Sequence, residues 1–239
     1  MKILQVRNIY KEYPNFKLQH VSFSMEKGTI MGFIGRNGAG KTTALKAIMN
    51  MVHIPEGNVE FFGLDMKDNE SAIKQRIGYA GGAVDYYQKK KIGLLLETTK
   101  RFFADWDDET CEKYMKLFSL DANKTPSELS QGMKVKLNLV MALSHRAELL
   151  ILDEPTSGLD PVSREELLDI FRFLKSQGVS ILFSTHITSD LDKCADDITY
   201  IRDGRIIYTG SIESFTQGES LEAVMLKHEK EAFHEKLAY

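Results

Sequence analysis

The sequence predicts an α/β fold built around a mostly parallel sheet, and three observations point to it. An apolar β-type run from Thr29 to Ile34 passes through a glycine-rich stretch into a helical pattern that starts after Gly40. Two further apolar runs, Glu148 to Leu152 and Val179 to Phe183, are joined by a segment whose Leu167, Ile170, Phe171 and Leu174 fall on one helical face. Strand, helix and strand at that spacing form a βαβ unit, which requires parallel strands. Finally, 239 residues with 43% hydrophobic and 27% charged side chains provide a core that needs no staples.

In chain order, Ile3 to Asn8 and Val21 to Met25 read as strands, and Lys27-Gly28 breaks the chain before Thr29 to Ile34. The helix after Gly40 carries Ala44, Leu45, Ile48 and Met49 on one face, and a turn is expected at Pro55-Glu56-Gly57-Asn58. Val59 to Phe62 and Arg76 to Tyr79 are strands. From about Val84 to Ser144 the β signals vanish, and helices such as Asp108 to Leu117 and Lys134 to Leu143 predict an inserted helical subdomain. Strands Ile198 to Arg202 and Arg205 to Thr209 meet at Asp203-Gly204, a hairpin signal. Ser220 to Tyr239 reads as a charged amphipathic helix whose loose apolar stripe of Leu221, Val224, Met225, His228 and Leu237 favours packing on its own core.

Composition removes several function classes. The net charge of −3, with basic and acidic residues interspersed, leaves no footprint for a nucleic-acid backbone, so no nucleic acid is expected as a partner. Cys111 and Cys194 have neither CxxC spacing nor a neighbouring histidine pair, which speaks against a structural zinc or disulfide framework and for a reducing compartment. The first residues lack an apolar signal core, and no window is long and uncharged enough to span a bilayer. The expectation is a cytoplasmic chain.

Gly35-Arg36-Asn37-Gly38-Ala39-Gly40-Lys41-Thr42 matches G-x-x-x-x-G-K-[ST] and lies between a strand and a helix, where the chemistry of a phosphate-binding loop requires it. Backbone N–H groups in such a loop converge on phosphate oxygens, aided by the positive end of the helix dipole. Lys41 would reach the β- and γ-phosphates, and the Thr42 hydroxyl would hold Mg²⁺. Leu149 to Leu152 delivers Asp153 and Glu154 to the carboxyl end of a buried strand, where open α/β sheets present their sites. Asp153 can join the Mg²⁺ shell, and Glu154 can orient or deprotonate a water for attack on the γ-phosphate. Alone, this acid pair would more simply cap the next helix; beside a phosphate-binding loop it reads as catalytic.

Three further motifs follow in order: Leu129-Ser130-Gln131-Gly132-Met133, then Asp153-Glu154-Pro155-Thr156-Ser157-Gly158-Leu159-Asp160, then Ser184-Thr185-His186. With the loop they resemble the signature, Walker B with D-loop, and switch histidine of ATP-binding cassette (ABC) ATPases, over roughly residues 2 to 215. The run Phe102 to Asp107 and the stretch Leu129 to Ser189 resemble the ATPase subunits of bacterial ABC-2 type exporters. The resemblance implies a P-loop NTPase core with an N-terminal antiparallel β subdomain and a helical subdomain inserted at about 84–145. The ATPase domain would cover 1–218, with a C-terminal helical tail at 219–239. It also implies ATP and Mg²⁺ as ligands, and a head-to-tail dimer, with itself or with a homologous subunit, around two ATP. A separate transmembrane permease would be driven from the cytoplasmic face of a bacterial membrane, for export.

Carried over by position, Gly35, Asn37, Gly38, Ala39, Gly40, Lys41, Thr42 and Thr43 surround the nucleotide phosphates. Ser130 and Gly132 cover the γ-phosphate held by the other subunit, although Ser130 is equally an N-cap for its own helix. His186 contacts the γ-phosphate and the attacking water, Asp160 links the two composite sites, and Tyr13 stacks on adenine. Thr42 and Asp153 hold the metal, and Glu154, His186 and Lys41 form the catalytic set. Two positions depart from the pattern. The glutamine or glutamate that follows the strand Ile77-Gly78-Tyr79 in the family is Gly82 here, so Asp85 or Gln88 substitutes for it or water completes the metal shell. Gln131 and Met133 also replace the usual signature residues. A non-transport ABC ATPase acting on ribosomes or nucleic acid is the alternative; such proteins usually carry two cassettes or long coiled-coil insertions, and this sequence has neither.

Overall fold

The computed structural model describes residues 1–81 and 87–237, with side chains through residue 231. Gly82 and Asp85 therefore lie outside the described residues. Strands β1 (Lys2–Tyr13), β2 (Phe16–Glu26), β4 (Glu56–Phe61) and β5 (Leu64–Asp65) form an antiparallel sheet in the order β2-β1-β4-β5. The second sheet takes β3 (Ile30–Ile34), β6 (Ile77–Gly81), β7 (Leu149–Asp153), β8 (Ser180–Thr185), β9 (Asp197–Arg202) and β10 (Arg205–Ser211). Its order is β10-β9-β3-β8-β7-β6, parallel throughout except for the β9–β10 hairpin.

Both faces of this sheet are covered, which is why β3 and β7 are buried at every position and read as unbroken apolar runs. Alternation along each strand divides the core in two. Met31, Phe33, Leu149 and Ile151 pack with the antiparallel sheet and with α1 (Lys41–Ile48). Ile30, Ile34, Leu150 and Leu152 pack with α3 (Ile92–Lys100), α4 (Asp108–Leu117), α5 (Gln131–Ser144) and α6 (Pro161–Ser176). The helical segment between β6 and β7 thus shares its core with the sheet.

The turn expected at Pro55 to Asn58 is instead the start of β4. Tyr10 pairs with Glu56 and Arg7 with Asn58 across a register shift, so Asn8 and Ile9 of β1 bulge against the single Gly57, which sits at φ +106°. A Cβ there would stand 2.7 Å from the Ile9 Cα, so the glycine serves close strand approach and not chain reversal. Several short elements escaped the reading: β5, α2 (Glu70–Lys74), α7 (Thr188–Cys194) and α8 (Ile212–Thr216). Each is shorter than the window over which hydrophobic period can be recognised. Conversely, Asp203 (φ 48°) and Gly204 (φ 74°) make the hairpin turn as expected. Gly204 also donates to the Ala39 carbonyl at 3.0 Å and accepts from Gln19 N at 2.8 Å, joining the hairpin to the glycine-rich loop and to β2.

The tail forms α9 (Leu221–Leu237) and packs on its own chain, burying Leu221, Val224 and Met225. His228 stacks on Phe215 with centroids 5.6 Å apart, and its carbonyl accepts from Arg202 at 3.0 Å. The Tyr200 hydroxyl donates to Glu229, whose other oxygen lies 3.5 Å from Arg36 Nη1 in the glycine-rich loop.

Helix α4 begins at Asp107, whose carboxylate accepts from the N–H groups of Glu109 and Thr110 and pairs with Arg146 at 3.1 Å. The Thr110 hydrogen bond, reinforced by Arg146, holds the Asp107 carboxyl at about 2, below its ordinary 3.8. A depressed carboxyl stabilises the fold above its unfolded value and loses that contribution as pH falls through the folded one. Thermal melts should therefore show Asp107→Asn, which keeps the capping oxygen, losing less midpoint than the parent between about pH 4 and pH 2.

Candidate active site at the carboxyl edge of the parallel sheet

Strand register sets the site. Ile34 pairs with Thr185, Asp153 with Ser184 and Gly81 with Asp153, so β3, β8, β7 and β6 end at one edge. The loop after β3 carries the glycine-rich motif and opens α1 at Gly40, whose φ of +107° suits only glycine. A Cβ on Gly40 would also stand 2.5 Å from Phe16 Cζ, because β2 packs directly behind the loop. Ala39 faces inward, 6% exposed, with its carbonyl engaged by Gly204.

Lys41 is 6% exposed and fully engaged. Its Nζ donates to the carbonyls of Gly35 at 2.7 Å and Arg36 at 3.3 Å, and lies 3.1 Å from Glu154 Oε1. Glu154 Oε2 meets His186 Nδ1 at 2.9 Å, so this carboxylate stands between a lysine and a histidine from two different loops. Its backbone adopts φ 50°, a left-handed geometry that costs a non-glycine residue about 1–3 kcal/mol and concentrates at functional sites. Beside it, Asp153 is buried, and its Oδ2 accepts from the Thr42 hydroxyl at 2.8 Å. Tyr79, on the neighbouring β6, has its phenol pushed up by burial first and by the Asp153 charge second.

Lys41, Thr42, Glu154 and His186 border a cavity of about 820 Å³, inside the range of about 300–1,000 Å³ typical of small-molecule sites. Of the residues singled out in the sequence, Tyr13, Asn37, Gly38, Gly40, Lys41, Thr42, Thr43, Glu154 and His186 line it, and Gly35, Ala39 and Asp153 do not. Phe16 and Asn15 beside Tyr13, together with Lys46, Val52 and Ser157, line it as well and were missed. The run Tyr13-Pro14-Asn15-Phe16 held a signal for two of them, since a tight β1–β2 turn puts its aromatic residues at one end of the ladder. Exposed Tyr13 has Lys11 Nζ 5.2 Å from its ring centroid. The α1 amino end, Lys41 and Lys46 bring positive charge suited to phosphate to the cavity, and Glu154, in contact with Lys41, and His186 border the same space.

Ser130 and Gly132 do not join this cavity. Ser130 caps α5 by accepting from Met133 N at 3.3 Å, and the open face of Gly132 looks toward Ser163 and Leu159. Asp160 caps α6, accepting from the N–H groups of Val162 and Ser163 and from the Ser163 hydroxyl; that side-chain hydrogen bond, with the backbone ones behind it, holds its carboxyl low. Gly132 and the start of α6 at Asp160 are therefore neighbours, and Ser130, Gly132 and Asp160 all lie away from the cavity of their own chain. Gln88 lies beside the 3-10 turn Pro126–Glu128, where its carbonyl accepts from Ser127 N at 3.3 Å.

For a divalent cation, Thr42 and Asp153 supply a hydroxyl and a carboxylate in mutual contact, and among the described residues no cluster of three or more His, Cys, Asp or Glu is present. That set fits Mg²⁺, which takes one or two protein oxygens and completes its shell with water and substrate phosphates.

The ABC transporter family matches residues 18–157. The chain is 30% identical over 209 residues to the bacitracin transport ATP-binding protein BcrA of Bacillus licheniformis, covering 86% of this chain and 68% of that protein. It is 32% identical over 211 residues to the ABC transporter ATP-binding protein NatA of Bacillus subtilis, covering 86% of each. A solved structure of an ATP-binding subunit of an ABC transporter superimposes with a TM-score of 0.84 at 25% identity, over 94% of this chain and 98% of that one.

Both the φ of Gly40 and the Phe16 ring behind it exclude a side chain. Gly40→Ala is expected to lower unfolding free energy by about 1–3 kcal/mol, measured by urea denaturation, and to weaken binding of a fluorescent ATP analogue.

Proposed function

This chain belongs to the ABC transporter family and is a transporter ATPase; from that premise we propose how its residues divide the work. Two copies, or one copy and a homologous subunit, bind two ATP between them head to tail. Each ATP is held by Tyr13 and by the loop Gly35 to Thr43 of one subunit, and is covered by Ser130 and Gly132 of the other, with Asp160 linking the two sites. The observation that carries this reading is the displacement of Ser130 and Gly132 from their own cavity, which leaves them available to a facing subunit.

In the proposed hydrolysis, Glu154 orients a water in line with the γ-phosphorus. The new P–O bond forms as the bond to the β,γ-bridging oxygen breaks, leaving ADP and inorganic phosphate. His186, which meets Glu154 through Nδ1, is the second side chain proposed to contact the γ-phosphate and the attacking water. Lys41 leaves the Gly35 and Arg36 carbonyls to meet the phosphates. Thr42 and Asp153 would hold Mg²⁺, which neutralises charge on the phosphates. Because both subunits contact the γ-phosphate, ATP favours the closed pair and hydrolysis favours opening, the differential affinity a coupling device needs.

No helix among the described residues is long and apolar enough to cross a membrane, so the motion is proposed to act on a separate permease from the cytoplasmic face. Export rests on the resemblance to ABC-2 type exporter subunits. The relatives reported above are named for transport, which sets aside the ribosomal and nucleic-acid alternative.

Glu154→Gln should lower phosphate release by about a hundredfold or more while an ATP-dependent dimer accumulates on size exclusion; turnover at the parent rate would overturn the role of Glu154. Affinity purification of the same variant with ATP from mildly solubilised membranes should bring down a polytopic membrane protein. Recovery of ribosomes or nucleic acid instead would overturn the coupling.

A further inference from the structure

Ser184, the penultimate residue of β8, is fully buried and stands outside every role assigned above. A hydroxyl has one proton to give and two lone pairs to accept with. Here the proton goes to Asp153 Oδ1 at 2.5 Å, and a lone pair accepts the Glu154 N–H at 2.9 Å. The same N–H reaches the Ser184 carbonyl at 3.1 Å. One side chain therefore fixes two neighbouring carboxylates by different means. It holds Oδ1 of Asp153, which leaves Oδ2 turned to Thr42, and it pins the backbone of Glu154 where the chain takes its left-handed bend. That bend carries the Glu154 carboxylate between Lys41 and His186. Packing alone does not ask for this hydroxyl, since Ile181, Leu182 and Phe183 before it are fully buried and apolar.

We propose that Ser184 is a positioning residue for ATP hydrolysis, setting through one hydroxyl both the Asp153 carboxylate and the backbone that presents Glu154. The inference rests on Glu154 as the water-orienting group. It predicts a defect in the chemical step with little change in nucleotide capture, because neither hydrogen bond reaches the cavity residues that grip the phosphates or the base.

The test uses the full-length chain and Mg²⁺-dependent phosphate release. Ser184→Ala should lower kcat about tenfold and leave KM for ATP within about twofold. Ser184→Thr and Ser184→Val have nearly the same shape and differ in the hydroxyl, so Thr should turn over about tenfold faster than Val. Parental kcat in Ser184→Ala beside an inactive Glu154→Gln would overturn the inference and leave the site reading intact. Parental turnover in Glu154→Gln would overturn both. A raised KM at unchanged kcat would make Ser184 a binding residue and likewise overturn the proposal. If the alanine variant melts below the assay temperature, the Thr and Val pair decides on the same criterion.

Discussion

Everything at this site depends on the parallel register that ends β3, β7, β8 and β6 at one edge. A helix dipole, a lysine, two carboxylates and a histidine come from segments as far apart in sequence as Lys41 and His186, and no local motif could assemble them. The register is in turn fixed by burial on both faces. Moving β7 by one residue would exchange Leu150 and Leu152 for Leu149 and Ile151 between the two halves of the core, and would also withdraw Asp153 from Thr42 and Ser184. Packing and chemistry are specified by the same alternation.

On that edge the polar groups form a chain. Thr42 donates to Asp153, Ser184 donates to Asp153 and accepts from Glu154, and Glu154 reaches both Lys41 and His186. Buried groups linked in this way polarise one another and tolerate little displacement, so each partner limits where its neighbour can sit. The left-handed backbone of Glu154 is held at its N–H by two acceptors on Ser184 and at its carbonyl by the Ser157 N–H.

The glycine-rich loop, the acids after β7 and the histidine after β8 were legible because each obeys a local rule: turn residues, an apolar run ending in charge, a strand before a loop. The fold class and the long helices were legible from their period for the same reason. Ser184 was quoted within a motif yet given no role, since its importance arises from a cross-strand partner that spacing does not reveal. Phe16 and Val52 escaped because lining a cavity is a property of packing. The turn placed at Pro55 to Asn58 failed where Gly57 could serve either a turn or a bulge, and only the approach of β1 decided between them.

The position of β3 has a consequence for how the molecule is made. Its two neighbours in the sheet are β8 and β9, which lie far later in the chain, while β1 and β2 pair with each other as soon as they exist. During synthesis the antiparallel hairpin can form early, yet the strand feeding the nucleotide loop waits with both edges open until β8 has left the ribosome, and with one open until β9 follows. Such an order leaves a long interval in which an apolar strand must be shielded by something other than its own sheet, and it makes arrival of β8 and β9, rather than of the loop sequence, the event that creates a nucleotide site.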